Sequence, residues 1–284
     1  MAIVTLKEIL DRADAGKYAV GSFNVINYES VRGILDAAEA TRSPVILAIA
    51  QVQLADVDFS SIMNIIVHEA KRATVPVAVH LDHGLDFETV KQAIELGCSS
   101  VMFDGSTLSL EENIRQTRAV VEYAHARNVS VEGEVGEMGV EGTSECSEDD
   151  VVIDMTDVAS AKRFVDETGV DALAVAFGTV HGIMRSEPDL NLGLLAELHR
   201  SLNTHLVVHG GSGLVFEDYR NMIERGIRKI NYFSYGYRDV ARKLGAYMAE
   251  HPHALYDQLS YFSKGAFKEV FSEVMEAFGS TGEA

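Results

Sequence analysis

Residues 76–84 read Pro-Val-Ala-Val-His-Leu-Asp-His-Gly. This is a short apolar, β-branched run that ends on two ionisable residues and a glycine. Continuous apolar runs suit the strands of a parallel sheet covered on its outer face, whereas half-exposed strands alternate. With this strand taken as 76–82, similar runs lie at 19–25, 44–50, 99–104, 129–135, 171–177, 205–209 and 228–233. Longer amphipathic segments separate them, among them 30–41, 110–127 and 158–168. Ser109-Leu-Glu-Glu112 has the pattern of a capping box, and Gly169 stands where a helix C-terminal cap falls. Eight strand–helix units in 284 residues predict one α/β domain over 1–284, a (β/α)8 TIM barrel whose catalytic groups sit at the C-terminal strand ends. An open doubly wound sheet normally shows a glycine-rich phosphate turn after its first strand. Here that strand leads into Phe23-Asn-Val25, and the barrel is preferred.

Two connections outside this repeat stand out. The segment 136–154 is long, glycine-containing and acidic, and is expected to be a mobile lid loop. The tail, 261–278, reads as an extra C-terminal helix.

Composition narrows the function classes. With 24 Lys+Arg against 43 Asp+Glu, the formal charge is −19, which repels nucleic acid and anionic lipid. No apolar run approaches the roughly 20 residues needed to span a bilayer. The N-terminus lacks the basic start and apolar stretch of a signal peptide, so a cytoplasmic protein is expected. Cys98 and Cys146 are too few for a disulfide scaffold and read as reduced thiols. A phosphorylated substrate is compatible with the charge if a metal, helix N-termini or backbone amides supply local positive potential.

The predicted strand ends carry Asn24, Ala50-Gln51, Asp82-His83, Asp104, Glu134, His181 just past strand six, His209, Asn231 and Ser234. So many polar groups at one end of a barrel would be costly as mere packing. Three histidines, His83, His181 and His209, are each followed by glycine. Three imidazoles with an open fourth position suit a catalytic zinc ion. His80, inside the apolar run, reads as a core residue. His209-Gly-Gly-Ser-Gly213, joined by Asn231 and Ser234, is a candidate phosphate-binding turn. Lysine Schiff-base chemistry is disfavoured, because no lysine falls at a predicted C-terminal strand end and Lys229 lies near the start of strand eight.

The motifs Phe23-Asn-Val25, Leu81-Asp-His-Gly84, Met102-Phe-Asp-Gly-Ser106, Val131-Glu-Gly-Glu-Val-Gly136, Gly178-Thr-Val-His-Gly182, Val208-His-Gly-Gly-Ser212 and Lys229-Ile-Asn231 follow one another along nearly the whole chain. In this order they resemble the class II fructose-bisphosphate and tagatose-bisphosphate aldolase family. The resemblance implies reversible cleavage of a ketose 1-phosphate or 1,6-bisphosphate to dihydroxyacetone phosphate and an aldehyde, through a zinc-stabilised enediolate. It implies that His83, His181 and His209 bind Zn2+, with Asp104 and Glu134 supporting the metal, an alternative metal position or a second cation. Asp82 matches the proton donor at the C4 hydroxyl. Gly182, Gly210, Gly211, Ser212, Asn231, Tyr232, Phe233 and Ser234 match the dihydroxyacetone phosphate pocket, and Asn24 joins them as a candidate substrate contact. A homodimer or homotetramer is implied, with a small sugar phosphate as the partner.

Departures from the family pattern gather on substrate recognition. Phe233 and Tyr235 bring aromatic bulk to strand eight, Met184 replaces a common tyrosine, and Ala50 replaces a phosphate-binding serine. In the lid, Gly142 takes the place of a proposed proton-abstracting glutamate, leaving Glu141 beside it as the candidate and Glu145 nearby. These changes suggest a retained dihydroxyacetone phosphate half-site and an altered aldehyde half-site. The alternative is a non-catalytic subunit that binds metal and sugar phosphate. A barrel metal-dependent hydrolase is disfavoured because strand one offers no His-x-His pair.

Overall fold

A computed structural model describes residues 3–136, 145–146, 154–184 and 188–284, with backbone alone at 145, 146 and 184. Eight strands, β1 (Val20–Asn24), β2 (Val45–Ala50), β3 (Val77–Gly84), β4 (Ser100–Phe103), β5 (Ser130–Val135), β6 (Ala172–Val175), β7 (His205–Val208) and β8 (Ile227–Asn231), close into a barrel. Every neighbouring pair is parallel, and β1 pairs with β8 to complete the ring. The (β/α)8 expectation holds, with β6 ending at Val175 rather than Phe177.

The helices are α1 (Leu6–Gly16), α2 (Tyr28–Thr41), α3 (Phe59–Arg72), α4 (Phe87–Glu95), α5 (Leu110–His125), α6 (Val158–Thr168), α7 (Leu192–Ser201), α8 (Phe216–Glu224), α9 (Ser234–Glu250) and α10 (Tyr256–Ala277). The expected C-terminal helix is α10, which begins earlier than residue 261. The α5 start is only half of a capping box. Ser109 accepts from the Glu112 amide at 3.4 Å, but the Glu112 carboxylate turns to Arg115 and Gln116. Gly169 caps α6 in the left-handed conformation, φ 72°.

Outward side chains of the strands pack beneath the helices, for example Phe23, Leu47, Val79 and Val131. Inward residues form a second cluster near the N-terminal end: Val20, Ile46, Ala78, Ala172, Ala174 and Val207 meet Leu6, Ile9, Leu10 and Ala13 of α1. Helix α1 therefore plugs the floor. Its start is a complete capping box, Thr5 with Glu8, and each large aliphatic it buries contributes about 1.5–3 kcal/mol. Among the described residues, no helix is long and apolar enough to cross a membrane.

Candidate active site at the C-terminal mouth

Successive strand residues point to opposite faces of the sheet. Inward positions therefore run Asn24 on β1, His80 and Asp82 on β3, Glu132 and Glu134 on β5, and Lys229 and Asn231 on β8, with His209 directly after β7. Hydrogen bonds tie this set together. Both oxygens of Asp82 accept amide protons, from Asn24 at 2.9 Å and Asn231 at 3.0 Å.

Alternation would send His83 to the opposite face from Asp82. The register of β3 against β4 shifts between Leu81 and Gly84, and His83 takes φ 45°, in the left-handed region. This strained conformation is sparsely populated for residues other than glycine and persists where the surroundings enforce it. It brings two consecutive ionisable side chains to one mouth. Gly84 must follow, because a Cβ there would lie 2.6 Å from the Met102 carbonyl oxygen.

His83, His181 and His209 offer nitrogens within 4.8 Å of one another. His83 Nδ1 lies 2.7 Å from Asp104 Oδ2, and His209 Nε2 lies 2.8 Å from Glu132 Oε1. Each of these two rings thus has a carboxylate oxygen at its outer nitrogen. The inner nitrogens, His83 Nε2 and His209 Nδ1, lie 2.8 Å apart. Three convergent imidazole nitrogens fit the donor set of a tetrahedral zinc ion with an open position. A second group, His83, Asp104 and Glu134, also gathers its donor atoms within 4.8 Å. Asp104 is fixed from behind by the Ser106 amide and hydroxyl.

The electrostatics follow from burial and neighbours. Burial works to raise the Asp82 carboxyl, but its neighbours, His83 first and then His209 and Lys229, outweigh it and hold Asp82 well below the usual range. Burial opposes ionisation of Asp104 too, and the His83 contact with the Ser106 hydrogen bonds overcomes it. His209 is lowered by burial and then by His83, and so favours the neutral ring that a metal requires.

A cavity of about 180 Å³ opens at the mouth. Asp82, His83, His181, Gly182, Gly210, Ser212, Asn231 and Ser234 line one part of it, and Asn24, Ala50, Val52, Gln53 and Phe233 the rest. Gly210 has φ 62°, and a Cβ there would lie 2.3 Å from the Val180 carbonyl oxygen, so only glycine lets the loops after β6 and β7 meet. Helix α9 starts beside the cavity, and its cap residue Phe233 makes no side-chain cap bond.

Some expected residues lie elsewhere. His181 lies past β6 as expected, but six residues beyond Val175, carried in by a longer loop because the strand ends early. Gly211 is not in the lining; its backbone packs on Ile230 and Asn231, and its carbonyl accepts from Tyr219. Tyr232 turns its ring outward against Phe271 and Phe278, leaving only its backbone near the mouth. Glu141 and Gly142, with the side chains of Glu145, Cys146 and Met184, lie outside the described residues. Cys98 is buried, which raises its thiol pKa and keeps it protonated. His80 is a core residue bonded to Ser100 at 2.8 Å, pushed down to about 3 by burial and Lys229.

The strand-end reading missed Glu132, which accepts from His209, and Lys229, whose Nζ lies 3.0 Å from Glu132 Oε1. Period two on β5 and β8 carries the signal, since Glu132 shares a face with Glu134, and Lys229 with Asn231.

A family model for class II fructose-bisphosphate aldolase matches residues 4–283. The chain is 39% identical over 292 residues to the fructose-bisphosphate aldolase of Geobacillus stearothermophilus, covering 100% of this chain and 99% of that protein. It is also 39% identical to the 6-phospho-5-dehydro-2-deoxy-D-gluconate aldolase of Bacillus licheniformis, covering 97% of that protein. Among solved structures, the YdjI aldolase from Escherichia coli K12 superposes with a TM-score of 0.88 at 33% identity, with 99% of each chain covered. A putative fructose-1,6-bisphosphate aldolase from Coccidioides immitis gives 0.85 at 29%, covering 98% of this chain and 96% of that one.

Proposed function

The chain belongs to the class II fructose-bisphosphate aldolase family and is a carbon–carbon lyase, and on that premise we propose that it reversibly cleaves a ketose 1-phosphate to dihydroxyacetone phosphate and an aldehyde. One observation carries the reading: three imidazoles, a doubly hydrogen-bonded carboxylate and a glycine turn share one mouth. His83, His181 and His209 would hold a zinc ion, and Asp104 and Glu134 with His83 would offer it an alternative position. When bound, zinc supplies Lewis-acid stabilisation of the negative charge that bond cleavage leaves on the donor half.

The protein's own groups do the rest. Asp82 rests ionised between Asn24 and Asn231, so in the cleavage direction it takes the C4 hydroxyl proton and in condensation it returns it. Backbone amides of Gly210 and Ser212, with the open first turn of α9, supply donors for the phosphate. Gly182 leaves room beside them, and the backbone from Asn231 to Ser234 closes the pocket. The proton abstracted from the donor carbon goes to a lid carboxylate, for which Glu141 is the candidate.

The two curated relatives differ in substrate at equal identity, so identity does not choose between substrates. The lining favours a ketose 1-phosphate over a 1,6-bisphosphate. Among the described lining residues, Ala50, Val52, Gln53 and Phe233 carry no positive charge to meet a second phosphate. The test is release of dihydroxyacetone phosphate by the zinc-loaded protein from fructose and tagatose 1-phosphates and from their 1,6-bisphosphates. A higher kcat/KM on the monophosphates is expected, and a clear preference for either bisphosphate contradicts the substrate assignment.

A further inference from the structure

Just inside the mouth, Glu132, Lys229, His80, Ser100 and His209 are all closed to solvent, at 0% exposure. Glu132 joins them: its Oε1 lies 2.8 Å from His209 Nε2 and 3.0 Å from Lys229 Nζ. Its Oε2 lies 2.9 Å from Lys229 Nζ and 3.7 Å from His80 Nε2. We infer that Glu132 is a positioning residue for the metal site. By accepting the Nε2 proton of His209, it holds that ring in the tautomer whose Nδ1 faces His83 and His181, with Lys229 as its charge partner. The inference rests on the reading of these three histidines as metal ligands.

Stability does not account for the network. A fully buried ion pair seldom outperforms well-packed apolar side chains of the same volume. This barrel shows the apolar solution at its floor, where Ala78, Ala172 and Val207 meet α1. Function does account for it. The outer nitrogen of a metal-ligating imidazole is held by a carboxylate or carbonyl that fixes tautomer and ring orientation. Asp104 does this for His83 at the rim, and Glu132 occupies the equivalent place for His209 inside the barrel. Asn231 Nδ2 lies 3.2 Å from His209 Nδ1, so the ring is bracketed at both nitrogens. Lys229 is needed because a lone buried carboxylate would be costly.

The test combines zinc affinity, by competition with a chromogenic chelator, with long-range proton–nitrogen spectra of the imidazoles in the zinc-free protein. The unmodified protein is expected to show His209 as the Nε2–H tautomer. Glu132→Leu is expected to lose that preference and to raise the zinc dissociation constant about 10–100-fold. Glu132→Gln, which keeps an acceptor oxygen, is expected to recover most of the affinity. If the leucine variant fails to fold, Glu132→Gln/Lys229→Met removes both charges, keeps the acceptor and is expected to retain the Nε2–H tautomer. An Nδ1–H tautomer in the unmodified protein, or zinc binding by Glu132→Leu as tight as in the unmodified protein, overturns the inference. Failure of the unmodified protein to bind zinc overturns the metal reading and the inference with it, and is distinguished by appearing before any substitution.

Discussion

The barrel interior is filled in two opposite ways. At the floor, Val20, Ile46, Ala78, Ala172 and Val207 close on Leu6, Ile9 and Leu10 of α1, and no charge enters the cluster. Toward the mouth the inward positions become Asn24, His80, Asp82, Glu132, Lys229 and Asn231, each buried and tied to a neighbour. Apolar filling stabilises at little risk, whereas buried polar groups are tolerated only when mutually satisfied. The contrast teaches that the floor serves the fold and the mouth serves chemistry. Cavity size alone would mislead. A larger groove of about 590 Å³ opens on the N-terminal face, where Asp11 lies 2.8 Å from His205 and Asp14 2.8 Å from Arg228, with no trio of convergent histidines among its described residues.

Substitutions at the two ends should separate activity from stability. Asp82→Asn at the mouth keeps the shape but removes the proton acceptor. It is expected to lower kcat for cleavage by about 10²–10⁴-fold, with zinc content unchanged by elemental analysis. Leu10→Ala at the floor is expected to cost about 2–5 kcal/mol in urea unfolding, with kcat unchanged well below the transition. A large loss of stability in the first, or of kcat in the second, would break the division.

The smallest effect belongs to the floor's outer rim. Burial works to raise the Asp14 carboxyl, and hydrogen bonds from Arg228 and Lys17 outweigh it, holding it below its ordinary value of 3.8. A depressed carboxyl adds stability above its unfolded pKa and loses that share as pH falls through the folded value. Asp14→Asn is therefore expected to cost about 0.2–1 kcal/mol near pH 7, and next to nothing once the pH is below the folded value. An equal loss at both pH values would show that the carboxylate charge is not the source.

Much of the barrel is legible because strands such as β2, β4, β6 and β7 are short, mostly apolar runs, and all eight expected strands fall within a few residues of those observed. The floor plug is less legible, although Leu6, Ile9, Leu10 and Ala13 have helical spacing behind a Thr5–Glu8 box, because a helix preceding the first strand lies outside the strand–helix repeat. At the mouth, the histidines and Asp82 were legible as polar residues closing apolar strands. Glu132 and Lys229 were not, because they lie mid-strand, where only alternation reveals an inward face. The outward turn of Tyr232 and the register shift that swings His83 inward depend on neighbouring strands and leave no mark in local sequence.

The most direct test of the account is exchange of the donor-carbon proton of dihydroxyacetone phosphate with solvent, followed by NMR in deuterated water with and without zinc. The unmodified protein is expected to exchange it only when zinc is present, and His209→Ala to lose the exchange. Absence of exchange in the unmodified protein with zinc bound would contradict the aldolase half-reaction and favour a subunit that binds metal and sugar phosphate without catalysis.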